Sequence, residues 1–185
     1  MEGMLIFIGA LIVFVMMIVI FIYNGHVNRR NAVDYAYASI DVQLKKRWDL
    51  IPNLVNTVKG YAAHEKELFE SITQARQQAR NSHDASATRF SHEGTLDSAL
   101  PHLMAVAEGY PEIKADRGFL NLQRNLTEVE SQISAARRAF NSAVMDYNNG
   151  VDMFPSSVFA SMFGFHRRAH FETSSAERSN PSLNI

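Results

Sequence analysis

The residues that first suggest chemistry are polar side chains set within apolar helical patterns. Glu65 follows Val58 by seven residues and precedes Ile72 by seven, so it falls on an apolar helix face. A carboxylate in that position must be paired, protonated or at the edge of the core. We expect Glu65 to be at least half-buried and to pair with Arg137 or Asn141 on a facing helix. A role in acid–base chemistry or metal binding would need neighbouring groups that the sequence does not supply.

A stripe of polar residues accompanies the apolar seam of the last long helical pattern. Its members repeat at helical spacing: Glu130, Arg137, Asn141 and Asn148. Polar side chains that flank a seam commonly set register and choice of partner. We therefore interpret Arg137, Asn141 and Asn148 as structural or interaction residues.

The motifs that would turn these residues into an active site are missing from the sequence. It contains no Gly-x-Gly-x-x-Gly, no Walker A motif and no Gly-x-Ser-x-Gly. Leu68 stands where a zinc protease motif starting at His64 needs its second histidine, and no glutamate has a histidine three residues on. The chain has no cysteine. We predict no enzyme activity, no cofactor and no small-molecule substrate. The alternative is a metal- or ligand-binding bundle centred on Glu65.

The composition is that of a folded chain with room for one domain beside an anchor and a tail. Of 185 residues, 46% are hydrophobic and 20% are charged. The formal net charge of −1 argues against a nucleic-acid-binding protein, which normally carries a basic excess.

Residues 4–23 form an uninterrupted apolar run. About 20 apolar residues span a hydrocarbon core of about 30 Å, so we predict a transmembrane helix and membrane lipid as a partner. A cleaved signal peptide is the alternative, but residues 1–3 carry no Lys or Arg and residues 23–26 form a poor cleavage site. Arg29 and Arg30 follow the span. Because positive charge prefers the cytoplasmic side, the N-terminus is predicted outside the inner membrane and the domain inside.

The chain after the anchor reads as four helices. We predict helix A over 27–48 and helix B over 50–80, with Pro52 in a first turn that Asp49 caps. One continuous, kinked helix through Pro52 is the alternative. With helix A ending at residue 48, the basic triplet Lys45, Lys46 and Arg47 is interpreted as a solvated helix end; a partner-binding patch is the alternative.

The second half of the chain continues this pattern. Residues 81–93 predict a loop, and helix C begins at an N-cap at Ser98 and ends before Pro111. Helix D covers 115–150, where apolar residues hold a three-four spacing over four heptads typical of a bundle or coiled coil. The predicted fold is all-α: a transmembrane helix followed by an antiparallel up-and-down four-helix bundle.

Three separated blocks of the sequence, in this order, closely resemble the LemA family, a family with bacterial members. The blocks are residues 40–65, residues 108–115, and residues 135–155 with gaps. The resemblance covers roughly 35–165 and implies an N-terminal membrane anchor and a helical bundle, without implying a reaction. It adds weight to Glu65, and it makes structural or interaction candidates of four residues in the first block: Arg47, Asp49, Pro52 and Asn53.

The C-terminal part divides at about residue 168. Residues 151–168 are rich in Phe and Met, and residues 169–185 predict a disordered tail. If the chain reverses direction at Pro52, helix D ends beside the bilayer and the aromatic segment lies at the interface. One helix through Pro52 would put the segment at the far end. These residues carry the interfacial hypothesis: Phe154, Phe159, Met162, Phe163, Arg167 and Arg168. The alternative is that the aromatic side chains cap the core of the bundle.

These features divide the predicted chain into a short N-terminus (1–3), the span (4–23), the bundle (27–150), the aromatic segment (151–168) and the tail (169–185). The favoured function is a single-pass membrane protein whose bundle serves as a scaffold or interaction module. A protein partner or self-association is expected; self-association is supported because an alanine-rich seam lets helices approach closely.

Overall fold

A computed structural model describes residues 1–81 and 87–171, and in that part of the chain every regular element is a helix. The helices are α1 (Glu2–Lys59), α2 (Lys66–Asn81), α3 (Ala87–Glu108), α4 (Pro111–Ala115), α5 (Arg117–Asp152) and α6 (Ser156–Met162). The predicted all-α class, with a long apolar N-terminal helix and helices packed on one another, is confirmed. The predicted tail lies outside the described residues from position 172 onward, as do residues 82–86 of the predicted loop.

The chain forms two compact units. The first unit consists of residues 1–38 and 138–170, and the second consists of residues 39–137 with the chain from Phe171. Both α1 and α5 therefore contribute residues to each unit.

Helix α1 continues through Pro52, so the predicted break there is wrong and the alternative of one helix is correct. A proline inside a helix removes one hydrogen bond, which here leaves the carbonyl of Trp48 without its intrahelical donor. The Arg76 side chain on α2 supplies the missing donor: its Nε lies 2.7 Å from that oxygen. The chain breaks instead at residues 60–65, which separate α1 from α2, so helix B does not exist as one element.

The second unit is a bundle built from α2, α3, α4 and the adjoining parts of α1 and α5. Arg89 binds Asp41, and Arg47, further along α1, binds Glu93, further along α3. These two helix segments therefore run in the same direction, as two short connections require. Its apolar core is drawn from all of these helices: Ile51, Leu54, Val58, Phe69, Ile72, Leu96, Leu103, Ile113, Phe119 and Leu126.

Helix α3 begins eleven residues before the predicted N-cap, at Ala87. Ser98 is inside the helix, where its hydroxyl donates to the carbonyl of Gly94 at 3.0 Å, so its predicted capping role is wrong. The predicted end before Pro111 is correct. The start of α5 is capped by Asp116, whose carboxylate accepts from the backbone N–H of Phe119 at 2.8 Å.

The first unit pairs α1 with α5 in opposite directions. The rings of Tyr37 and Phe140 are 5.8 Å apart, whereas Arg29, earlier in α1, lies against Gly150, later in α5. A Cβ atom on Gly150 would come within 3.0 Å of the Arg29 guanidinium, so glycine permits this close approach. Before this region, the apolar side chains of residues 4–23 are almost all exposed.

Candidate functional site

The most unusual group in the second unit is a set of buried charges, the Arg47 cluster: Arg47, Glu93, Asp97, Glu130 and Arg137. Arg47 comes from α1, Glu93 and Asp97 from α3, and Glu130 and Arg137 from α5. Both Arg47 and Glu93 are 0% exposed. Charged residues are almost never fully buried unless they are paired, and here each one has a partner.

The guanidinium of Arg47 holds the cluster together. Its Nη2 donates to Glu93, and its Nη1 donates to Asp97 and, at 3.1 Å, to Oε1 of Glu130. Arg137 donates from Nη1 to the other carboxylate oxygen of Asp97 at 2.9 Å. Two cations therefore meet three carboxylates, and Arg47 links three helices.

The surroundings shift the proton equilibria of the two most buried groups in a consistent way. Desolvation lowers the pKa of Arg47, but Asp97, Glu130 and Glu93 outweigh it and raise the pKa, so the guanidinium stays charged. Burial raises the pKa of Glu93 by more than the attraction of Arg47 lowers it. The carboxyl of Glu93 therefore takes up a proton at a higher pH than an exposed glutamate does.

Phe171, which belongs to the second unit, lies against one side of this cluster. The ring of Phe171 lies 4.4 Å from the guanidinium carbon of Arg137 and 4.1 Å from the ring of Phe90. Arg89 lies over the indole of Trp48 at 5.8 Å. Cation–π contacts of this kind stabilise guanidinium groups with little cost in hydration.

The cluster has the chemistry of a structural network. In the part of the chain that the structure describes, no hydrogen-bond partner is found for Oε1 of Glu93, Nε of Arg47, or Nε and Nη2 of Arg137. Among the same residues, no group of three or more His, Asp or Glu is arranged to hold a metal ion. The Asp97 and Glu130 carboxylates are instead occupied by guanidinium groups.

Two of the expectations for this region are wrong. Arg47 is fully buried, whereas Lys45, Lys46 and Arg47 were predicted to form a solvated helix end. Glu65 is exposed, because it lies in the turn before α2 rather than within a helix, and the partner of Arg137 is Asp97 instead. A ligand site centred on Glu65 would therefore lie at the surface and outside the Arg47 cluster.

Spacing alone contained the signal for the buried charges. Arg47 continues the α1 seam three residues after Leu44 and four before Ile51. Extending the α3 seam backwards from Leu96 reaches Glu93 and then Arg89 by steps of three and four. The predicted loop over residues 81–93 is wrong for residues 87–93, which form the first two turns of α3.

The remaining candidates of the first sequence block occupy the surface of α1. Asp49 lies inside the helix, where it pairs with Lys45 Nζ at 2.7 Å rather than capping a turn. Its hydrogen bond from Lys45 holds the pKa of the Asp49 carboxyl below its usual range. Asn53 is exposed, and its backbone carbonyl accepts from the hydroxyl of Thr57 at 2.9 Å.

In the first unit, Asn148 is buried and fixes the chain that follows α6. Its Nδ2 donates to the carbonyl of Arg168 at 2.9 Å, and its Oδ1 accepts from the backbone N–H of the same residue at 2.9 Å. The Arg168 side chain binds Asp34 on α1. Asn141, one stripe position earlier, is half-buried.

The end of the apolar run and the aromatic segment meet within the first unit. The Tyr23 ring lies 5.2 Å from Phe163 and 5.8 Å from Phe165, and the ring of buried His26 stacks on Phe165 at 4.9 Å. The chain reverses direction at residues 60–65 instead of at Pro52, where the reversal was predicted. The aromatic segment accordingly returns to the end of the span although α1 is continuous.

The six interfacial candidates differ in exposure. Phe154 is 84% exposed and Met162 65% exposed, whereas Phe159 is half-buried. Phe163 contacts Tyr23 on one side and is exposed on the other. Arg167 pairs with Asp152 at 2.9 Å.

Comparison with known proteins agrees with these features. A family model described as the LemA family matches residues 36–184. Protein LemA of Metamycoplasma hominis is 25% identical over 162 residues, covering 85% of this chain and 74% of that protein. Magnetosome protein MamQ of Magnetospirillum gryphiswaldense is 22% identical over 174 residues, with 80% of this chain covered. Magnetosome protein MamQ 2 of Paramagnetospirillum magneticum is 24% identical over 175 residues, with 81% of this chain covered. The chain spans 64% of the length of both magnetosome relatives.

Proposed function

Since the chain belongs to the LemA family, we propose that it is a single-pass membrane protein whose helical bundle serves as a scaffold or interaction module. One observation carries the proposal. Helix α1 exposes its apolar side chains over residues 4–23 and buries its apolar seam only after that run. Exposed apolar area of this size needs a cover other than water, and the length of the run matches a hydrocarbon core of about 30 Å.

A non-enzymatic role is supported by how the polar residues are used. The carboxylates and guanidiniums of the Arg47 cluster bind one another and link α1, α3 and α5. A buried ionic network of this kind can fix the register of one helix on another, which suits a scaffold. Its partner is proposed to be a second copy of the chain or another protein.

The proposed topology places the N-terminus outside the cell membrane and the bundle in the cytoplasm. Arg29 and Arg30 lie within seven residues of the end of the span, whereas Glu2 is the one charged side chain before it. Positive residues within about 15–20 residues of a span are retained on the cytoplasmic side.

The test of the anchor compares the full chain with a chain that begins at Asn28. The full chain is expected in the membrane fraction and to resist extraction by high salt and alkaline carbonate, whereas the shortened chain should be soluble and helical. Release of the full chain by salt alone would contradict the proposal. Chemical cross-linking of the membrane fraction then distinguishes a second copy from another protein as partner.

Topology can be tested by labelling introduced cysteines, and the chain gives no background labelling because it has no cysteine of its own. Gly3→Cys and Gln74→Cys place single thiols in the N-terminus and on an exposed position of α2. In intact spheroplasts a membrane-impermeant maleimide should label only Gly3→Cys, and lysis should make Gln74→Cys reactive. The reverse pattern would overturn the orientation and leave the anchor intact.

A further inference from the structure

We propose that α6 and the residues that flank it form an interfacial segment that lies in the lipid headgroup region, in addition to the transmembrane span. The segment is defined as residues 153–163. The inference rests on the proposed function, because it requires the apolar run to cross a bilayer. In this proposal, membrane lipid covers the exposed side of the segment, and the core of the bundle does not.

Contacts with Tyr23 set the depth of the segment. From Met4 to Tyr23 the helix rises by about 28 Å, close to the thickness of a hydrocarbon core. Tyr23 therefore lies at the boundary, where tyrosine rings are enriched. The ring of Phe163 is 5.2 Å from the ring of Tyr23 and makes a T-shaped contact with it. A side chain that touches Tyr23 is at the level of the headgroups.

The two sides of α6 have different surroundings. Ala160 is buried, and Phe165, just after the helix, is 7% exposed and stacks on His26. Val158 and Met162, one turn apart, are both exposed. Helix α6 thus packs through one side and presents apolar side chains on the other.

The exposed apolar side chains of the segment do not cap the core, because their surfaces face outward rather than into the first unit. Phe165 performs that role, since it fills the space beside His26 and Tyr23. Five large apolar residues of the segment remain exposed: Met153, Phe154, Val158, Met162 and Phe163. A contiguous apolar surface of this kind on a soluble protein marks an interaction site. Here it adjoins the exposed apolar surface of the span, which makes lipid its natural cover.

The charge around the segment favours an anionic lipid surface. Residues 24–38 and 138–170 together contain five arginines and three aspartates, a net charge of +2 with histidines neutral. Arg167 and Arg168 are paired with Asp152 and Asp34, whereas Arg30 lies over the ring of Phe165 at 5.9 Å. Basic side chains beside a membrane surface are attracted to anionic lipid.

The test measures the depth of single labelled cysteines in the full chain. Met162→Cys marks the exposed side of α6, and Ile12→Cys marks the middle of the span. Ser142→Cys is the matched control: it is exposed on α5, and the Tyr37–Phe140 contact places it roughly 20 Å from Tyr23 along α1. Each variant carries an environment-sensitive fluorophore and is reconstituted into phosphatidylethanolamine–phosphatidylglycerol vesicles containing a nitroxide-labelled lipid.

We expect the label at Met162 to shift to the blue and to lose most of its emission to the lipid quencher. The label at Ser142 should respond to aqueous iodide instead. Equal responses at the two positions would overturn the interfacial segment. A blue-shifted Met162 label that neither lipid nor iodide quenches would also overturn it, because a protein surface would then be the cover.

The label at Ile12 separates this inference from the proposed function. Deep quenching at Ile12 with none at Met162 leaves the anchor in place and rejects only the segment. Absence of lipid quenching at Ile12 rejects the anchor, and the segment with it.

Discussion

Two buried polar side chains, one in each unit, show two ways of holding helices together. Asn148 in the first unit is neutral, and both ends of its amide bind the backbone of Arg168. Arg47 in the second unit is charged and binds three carboxylates from two other helices. The first arrangement fixes a loop to a helix, and the second fixes helices to each other.

The two arrangements differ in which polar groups lose their partners when the Asn148 or the Arg47 side chain is removed. Without Asn148, the backbone groups of Arg168 turn to water, because that residue is half-exposed. Without Arg47, the carboxylate of Glu93 stays buried without its ion-pair partner. An uncompensated buried charge costs more than an unmade neutral hydrogen bond, so the two sites should differ in sensitivity.

The largest effect is expected from Arg47→Met. Methionine keeps most of the apolar volume but leaves Glu93, Asp97 and Glu130 without their shared cation. Breaking a buried ion pair in this way costs about 3–5 kcal/mol of unfolding free energy. The measurement is denaturant unfolding of the detergent-solubilised full chain, followed by the fluorescence of Trp48, which is the only tryptophan.

Glu65→Gln is the matched control for that variant. It changes an exposed carboxylate of the second unit. Its effect should stay within the range of about 0–1 kcal/mol typical of surface charges. If Arg47→Met were no more destabilising than Glu65→Gln, the cluster would not be a structural network.

A smaller loss is expected from Asn148→Ala. Removing the amide leaves one N–H and one C=O of Arg168 without their partner, which costs about 1–3 kcal/mol in total when water replaces it in part. Asn149→Ala, at the exposed neighbouring position, is the control and should be nearly neutral. Far-UV circular dichroism during thermal unfolding measures both. A loss for Asn148→Ala as large as that for Arg47→Met would remove the distinction between the two sites.

Much of the fold was predictable because long patterns are hard to misread. The run over residues 4–23 and the seam of α5 each repeat one signal many times, and the predicted 115–150 differs from α5 by two residues at each end. The rule that a proline ends or begins a helix failed at Pro52, which lies inside α1. The donor that satisfies Trp48 comes from Arg76 on another helix, and no local pattern reports a contact between residues 28 positions apart.

The candidate site was less predictable, and the reason is physical. Charged residues are rarely buried, so a basic triplet or a polar loop is read as solvated. Arg47 and Glu93 are exceptions because each makes the burial of the other possible, and a pair cannot be recognised from one member. Asn148 carries no charge, so its polar type does not argue against burial. Its position in the polar stripe of α5 was therefore enough to make it a structural candidate.

The smallest effect is a change in pH dependence, expected for Glu93→Gln. Five charged residues surround or adjoin Glu93: Arg47, Asp97, Arg89, Glu130 and Arg137. Burial nevertheless raises the pKa of the Glu93 carboxyl. A raised pKa in the folded state means that the folded chain binds the proton more tightly than the unfolded chain. The contribution of Glu93 to stability is then fully present below the unfolded pKa and is lost as the pH rises through the folded pKa.

Glutamine cannot lose a proton, so the variant should escape this loss while Arg47 keeps Asp97 and Glu130 as partners. Plotted against pH, the unfolding free energy of Glu93→Gln minus that of the wild type should increase as the pH rises through the folded pKa of Glu93, which lies above the unfolded pKa. Glu65→Gln is the control, because it removes one carboxylate at an exposed position of the second unit. A difference for Glu93→Gln that decreases with rising pH would mean that the attraction of Arg47 outweighs burial at Glu93. The ion pair would then stabilise the second unit in its charged form, as a surface pair does but more strongly.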